Sequence, residues 1–217
     1  LPEDPPPLHA DLSLLDGPAL QRVYERAGPI RGRVVFKGAE GESRPMNLAG
    51  LARPRLRLGV FMSILVDWSV VGDLIQRLND HLRPESILLR FHPNTTIRDP
   101  AARRWLPALP HLMLSGGETL LTGDAARCDL VLAANSSCHL TLLRYGVPTA
   151  HLRGLDAVPD DFYRFIADGL LPAFDRPEDL DVAAVATHYG APDWGAHFGD
   201  YDAPMGEDLG AALRSVL

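Results

Sequence analysis

From Arg55 onward, short apolar runs alternate with segments whose apolar residues recur at helical spacing. The run Arg57-Leu58-Gly59-Val60-Phe61-Met62 predicts a strand, residues 70–82 a helix with Leu74, Ile75 and Leu78 on one face, and Ile87-Leu88-Leu89-Arg90-Phe91 a second strand. After a loop carrying Pro100, Pro107 and Pro110 the alternation resumes. A strand is expected at 111–114, a helix at 118–127, a strand at 129–133, a helix at 136–145 closed by Gly146, and a strand at 148–152. Strands apolar along their whole length have no face suited to water, so helices must cover both sides. The expected fold is α/β, a doubly wound, Rossmann-like parallel sheet.

The flanks read differently. Residues 1–52 are rich in Pro and Gly, with one helical stretch at 18–25 and one strand candidate at 32–36. They are expected to form an N-terminal extension or a fragment of another domain, with the α/β domain occupying 53–217. The first residue is Leu1, which reads as a chain cut from something longer or trimmed at a disordered start. Near the other end a helix is expected at 178–189, followed by a Gly/Asp/Pro-rich stretch at 190–205 that reads as irregular and surface-bound. No repeat is visible.

Charge narrows the function classes. The 28 acidic groups outnumber 21 basic ones for a net −7, against the clustered cations that nucleic-acid binding needs. The 217 residues, 46% of them hydrophobic, suit a globular domain, and neither a membrane-spanning run nor a signal pattern is present. A cytoplasmic location is expected, the inner face of the membrane included. Lys37 is the single lysine; every other cation is an arginine, suited to bidentate grip on carboxylate or phosphate, although a GC-rich bacterial genome gives the same bias. Cys128 and Cys138 lack CxxC spacing and read as small core residues of a reduced compartment.

Two strand ends carry the candidate chemistry: residues 88–96, LLRFHPNTT, and residues 133–139, AANSSCH. In doubly wound folds ligands bind beyond the carboxyl ends of the strands, which is where both fall. Pro93 disfavours helix at His92 and holds the imidazole on an extended turn, where it is either an ordinary turn residue or a donor to phosphate or sugar. Asn135 or Ser136 suits a helix cap, leaving the Ser136 and Ser137 hydroxyls and nearby N–H groups at the crevice; they serve either the helix alone or a phosphate as well. Arg90, His139 and Arg144 add positive charge in the same region, Arg144 at a helix end that suits a solvated role.

A strand ending in His92-Pro93, then one ending in Ser136-Ser137, then the strand entry Gly146-Val147-Pro148, resembles the C-terminal half of GT-B glycosyltransferases that use cytidine-nucleotide donors. These are the bacterial sialyl- and polysialyltransferases and the Kdo transferases, and the resemblance covers about residues 55–175. It implies a transferase of surface-glycan assembly in which His92 contacts the nucleotide-sugar as the catalytic member and Ser136 and Ser137 bind its phosphate. The set expected to line the donor site is Arg90, His92, Pro93, Asn94, Gly116, Gly117, Glu118, Asn135, Ser136, Ser137 and His139. The implied partners are a CMP- or CDP-linked donor as substrate, a glycan acceptor and a separate acceptor-binding domain, with no tightly bound cofactor. CDP-glycerol-type polyol-phosphate transferases carry similar strand ends but usually an acid before the serines, where this chain has Ala133-Ala134-Asn135.

One departure stands out. The sialyl enzymes draw a general base from an acidic-acidic-Gly motif, and here Asp16-Gly17 and Glu40-Gly41 each lack the preceding acid. A non-catalytic module that binds a nucleotide or a partner is the reading this favours. Asp67-Trp68-Ser69 lies at another strand end, with packing the default role for Trp68, and Val158-Pro159-Asp160-Asp161 reads as a capped helix start. Walker A, GxGxxG, HExxH and GxSxG motifs are missing, and the eight histidines show no metal-ligand spacing, so no tightly bound metal is expected.

Overall fold

Two strands precede the main sheet. β1 (His9–Leu15) and β2 (Arg31–Phe36) pair in parallel across α1 (Pro18–Glu25), forming a separate two-stranded sheet. The computed structural model describes residues 7–38, 43–63, 66–94, 100–116, 118–157, 161–202 and 209–214. A short α2 (Leu48–Leu51) leads into the main unit, which runs β3 (Arg57–Phe61), α3 (Trp68–Leu82), β4 (Ser86–Arg90), α4 (Pro100–Trp105), β5 (Leu112–Ser115), α5 (Leu121–Ala125), β6 (Leu130–Ala133), α6 (Cys138–Arg144), β7 (Thr149–Leu152) and β8 (Ala173–Phe174). The six strands are parallel in the order β5-β4-β3-β6-β7-β8. This is the doubly wound topology, and strand order reverses between β3 and β6, which defines a switch point.

Alternation along the strands builds a core on each face of this sheet. Leu58, Val60, Ile87, Leu89, Leu130 and Leu132 point to one side, where α3 buries Val71, Leu74, Ile75 and Leu78. Phe61, Leu88, Val131 and Ala133 point to the other, against Ala125, Cys128 and Leu142. Leu78 is wholly shielded from solvent, and truncating such a residue to alanine costs about 2–5 kcal/mol. α3 starts before residue 70, the expected boundary, because Asp67 caps it: its carboxylate accepts from the Ser69 N–H at 3.0 Å. Asp67 is thereby held below the usual carboxylate range by the Ser69 hydroxyl and N–H.

The chain then continues through a single 3-10 turn (Pro177–Asp179), α7 (Val182–Gly190), α8 (Trp194–Tyr201) and α9 (Leu209–Arg214). α7 starts later than expected because Asp181 caps it, accepting from the Ala183 N–H at 2.8 Å. α8 corrects the expectation of irregular structure across 190–205. Trp194, Phe198 and Tyr201 share a helical face, and the first two rings stack at 5.3 Å. Tyr201 is buried and its hydroxyl bonds the Tyr163 carbonyl at 2.9 Å and the Asp168 carboxylate at 3.0 Å. α8 packs on α1, and a Cβ on Gly17 would lie 2.5 Å from the Tyr201 carbonyl oxygen, so only glycine admits this approach. The corner that carries Asp16 is thus pinned by the end of α8.

Among the described residues no helix is long and apolar enough to cross a membrane.

Candidate functional site

At the switch point the carboxyl ends of β3, β4 and β6 open onto a cavity of about 380 Å³. Phe61 and Met62 come from the end of β3; Arg90, Phe91, His92 and Pro93 from the end of β4; Ser136, Ser137, Cys138 and Thr141 from the turn after β6 and the start of α6. Leu121 of α5 closes one side. The two-stranded sheet supplies the rest, for Asp16 follows β1 and Lys37 follows β2, and both reach the same cavity. Five of the residues expected from sequence, Arg90, His92, Pro93, Ser136 and Ser137, therefore line the same cavity.

His92 is oriented from behind. The Asn94 backbone N–H donates to its Nδ1 at 3.2 Å, which makes Nδ1 an acceptor and leaves the proton of the neutral ring on Nε2. Arg90 is held more firmly. Its side chain is only 8% exposed and pairs with the fully buried Asp124, which also accepts from the Ser115 hydroxyl at 2.5 Å, while Arg90 donates to the Thr119 carbonyl at 2.8 Å. A buried charge pair is costly to desolvate, so its consequence here is orientation rather than net stability. Among the described residues the second oxygen of Asp124 makes no hydrogen bond, and the Arg127 guanidinium lies 3.8 Å from it.

On the opposite strand end, Ser136 Oγ accepts from the Cys138 N–H at 3.3 Å, so α6 starts at Cys138 rather than at Ser136 as expected. Ser137 is exposed and its hydroxyl makes no capping bond. Cys138 is half-buried, and burial pushes its thiol up to about 11. In the same cavity the Lys37 ammonium donates to Asp16 at 2.6 Å and to the Gly38 carbonyl at 3.2 Å. The Lys37 N–H donates to the Leu15 carbonyl at 2.8 Å, which keeps the two strand ends in register.

Solved structures share this arrangement of the chain. One is the glycosyltransferase SnogD from Streptomyces nogalater, 16% identical, with a TM-score of 0.52 over 93% of this chain and 55% of that one. A second is MnaA of S. aureus in complex with UDP, 13% identical, with a TM-score of 0.50 over 95% of this chain and 59% of that one. A third is the wall teichoic acid polymerase TagF in its H444N variant, 13% identical, with a TM-score of 0.51 over 95% and 56%. The fold is that of a GT-B C-terminal half. The chain spans between half and two thirds of the length of each of these structures. No protein-family model and no curated sequence matches it.

Against this GT-B frame, several residues expected at the donor site lie elsewhere. His139 is wholly buried between the Thr149 hydroxyl at 2.8 Å and the Ala134 carbonyl at 2.9 Å, with its ring edge-on to Phe165. Burial, reinforced by nearby His151, holds its pKa down to about 3, so it packs as a neutral ring and adds no charge to the cavity. Asn135 ties two loops together instead: its side chain accepts from the Phe162 N–H at 2.8 Å and its own N–H donates to Asp156 at 3.1 Å. Gly116 is buried after β5 beneath the carboxylate of exposed Glu118, and neither lines the cavity. Asn94 is not among the residues lining the cavity, and its backbone N–H bonds His92.

Trp68 packs on Phe91 with ring centroids 5.1 Å apart, and Arg144 pairs with Asp202 at 2.6 Å. Asp161 sits in a turn, with its carboxylate accepting from the Ile166 and Ala167 N–H groups, both at 2.8 Å. Gly117, Glu40, Gly41 and Val158, Pro159 and Asp160 lie outside the described residues. Among the described residues no cluster of three His, Cys, Asp or Glu side chains suits a metal ion. Sequence reasoning missed Asp16 and Lys37 as cavity residues. The signals were a lone lysine and an Asp-Gly pair, but without β1 in view neither had a place.

Proposed function

We propose that this chain is the donor half of a bacterial glycosyltransferase that takes a sugar from a CMP- or CDP-linked donor for a surface glycan. The observation that carries the reading is the meeting of His92, Arg90, Ser136 and Ser137 on one cavity at the sheet's switch point, the place where α/β folds bind nucleotides. The coarser part, a nucleotide-sugar ligand, draws support from the likeness to SnogD and to MnaA with UDP bound. Cytidine as the base rests on the His-Pro and Ser-Ser resemblance.

The chemistry follows from charge. As the bond between the anomeric carbon and the donor phosphate breaks, its electron pair moves onto the phosphate. Arg90, the Ser136 and Ser137 hydroxyls and Nε2–H of His92 are the cavity groups that stabilise that charge, the neutral His92 ring by donating a hydrogen bond. The acceptor hydroxyl attacks the same carbon and must lose its proton. Asp16 is the carboxylate on the cavity wall among the described residues, and we assign it as the base that takes it.

The likeness to TagF, a wall teichoic acid polymerase, favours a second reading in which the same wall binds a polyol-phosphate donor and attack falls on phosphorus. Calorimetric titration with CMP, CDP, UDP and GDP tests the proposal. It requires cytidine-selective binding that is lost in His92→Ala and in Ser136→Ala with Ser137→Ala. Selective binding of UDP would keep the fold's ligand class and overturn the cytidine assignment. No binding to any of the four would leave a non-catalytic module.

A further inference from the structure

Lys37 is the one lysine in a chain with 21 basic residues, and it sits on the cavity wall rather than on the open surface. Its ammonium is fixed by two bonds, to Asp16 at 2.6 Å and to the Gly38 carbonyl at 3.2 Å, with the lysine side chain 32% and the aspartate 18% exposed. It comes from the two-stranded sheet, whereas Arg90, His92, Ser136 and Ser137 come from the six-stranded one. A phosphate held by the latter group would share one cavity with Lys37. An ammonium is a compact point charge on a flexible stem with three donors, able to turn between partners, while a guanidinium is a planar fork that matches one geometry.

We propose that Lys37 is a ligand of the donor's phosphate, and that the phosphate competes with Asp16 for it, so that donor binding frees the Asp16 carboxylate to face the acceptor. For the nucleotide this inference rests on the function proposed above. An ion pair that is intact without donor leaves Asp16 engaged and unavailable to a stray hydroxyl, water included. The diphosphate of a CDP-linked donor brings two charges against the carboxylate's one, and the phosphodiester of a CMP-linked donor, singly charged when it binds, gains its second charge as the sugar leaves. The exchange then links the two halves of the reaction in order, with the leaving group bound before the base is released. No bond is made or broken in the exchange itself.

A lone lysine makes the test direct. Lys37 is acetylated with acetic anhydride at fixed pH in the intact chain and its modification is followed by peptide mass spectrometry, with inorganic pyrophosphate and CMP as separate protecting probes. The expected result is a slowing of roughly tenfold or more by saturating pyrophosphate and by CMP, each following its own binding curve. CMP binding by calorimetry that leaves the acetylation rate unchanged overturns the inference while leaving the proposed function in place. Protection by pyrophosphate with no nucleotide binding keeps Lys37 as a phosphate ligand and overturns the transferase reading. No protection by either overturns the inference.

Competition is read separately from substitutions. Lys37→Met should weaken pyrophosphate binding about ten- to a hundredfold, Lys37→Arg less, and Asp16→Asn should tighten it about threefold or more. A purely structural ion pair would give loss in both directions. The Asp16→Asn gain should shrink by about half or more in the Lys37→Met background, since the competed cation is then gone. An equal gain in both backgrounds traces the effect to carboxylate repulsion alone and overturns the exchange.

Discussion

The Asn94 backbone N–H donates to Nδ1 of His92 across 3.2 Å, and this one bond decides which face of the imidazole can donate into the cavity. Pro93 between them fixes the turn that makes it possible. With Nδ1 an acceptor, the neutral ring presents Nε2–H. Nitrogen NMR of the ring at pH 8 should report the Nε2–H tautomer for His92. Asn94→Pro, which removes the N–H, should mix the tautomers and weaken CMP binding, and a spectrum unchanged by that substitution would contradict the role given to the bond.

Arg90 and Asp124 predict a stability effect that also reaches the ligand. Asp124→Asn removes the partner of a guanidinium only 8% exposed, and breaking a buried pair from one side costs about 3–5 kcal/mol. Urea unfolding should show that loss. Replacing both, Arg90→Met with Asp124→Leu, should recover most of the stability while CMP binding stays lost. Recovery of binding in the double variant would take Arg90 out of the donor site.

His139 gives the pH dependence a direction. Its pKa is held near 3 in the fold, below its ordinary 6.5, so between those values the unfolded chain binds a proton that the folded chain refuses. The stabilisation is therefore complete above about pH 6.5 and is lost as pH falls, at up to about 1.4 kcal/mol per unit. From pH 7 to 5 the parent chain should lose about 2 kcal/mol more than His139→Gln, whose amide can still bond Thr149 and Ala134. Parallel losses in the two proteins would mean that other groups drive the acid transition.

The two thiols should separate by location. Burial raises Cys128 to about 12 and Cys138 to about 11, so neither is a thiolate near neutral pH. Native protein should react slowly with an aromatic disulfide reagent and rapidly once unfolded. Cys138, which lines the cavity, should react before buried Cys128, and CMP should protect it selectively.

The six-stranded sheet was legible where burial left the strands no alternative. Leu58, Val60, Ile87, Leu89, Leu130 and Leu132 are apolar because both sheet faces are covered, and such runs read plainly. β1 did not, because its first residues, His9, Ala10 and Asp11, are exposed and break the run. α8 was hidden by Gly195 and Gly199, which carry no side chain and mask the spacing of Trp194, Phe198 and Tyr201. In the site, His92, Ser136 and Ser137 were visible because strand ends are defined by the strands themselves. His139 stands only two residues beyond Ser137, yet about half a turn of helix is enough to rotate it into the core. Asp16 and Lys37 depend on how a second sheet meets the first, and that relation has no local pattern to reveal it.

In the proposed complex a cytidine nucleotide occupies the switch-point cavity with its phosphate between His92 and the Ser136-Ser137 turn. A crystal structure of the chain soaked with CMP tests it most directly. Phosphate oxygens are expected within hydrogen-bonding distance of His92 Nε2 and of the Ser136 or Ser137 hydroxyl. CMP bound elsewhere on the molecule, with this cavity holding only solvent at saturating nucleotide, would contradict it.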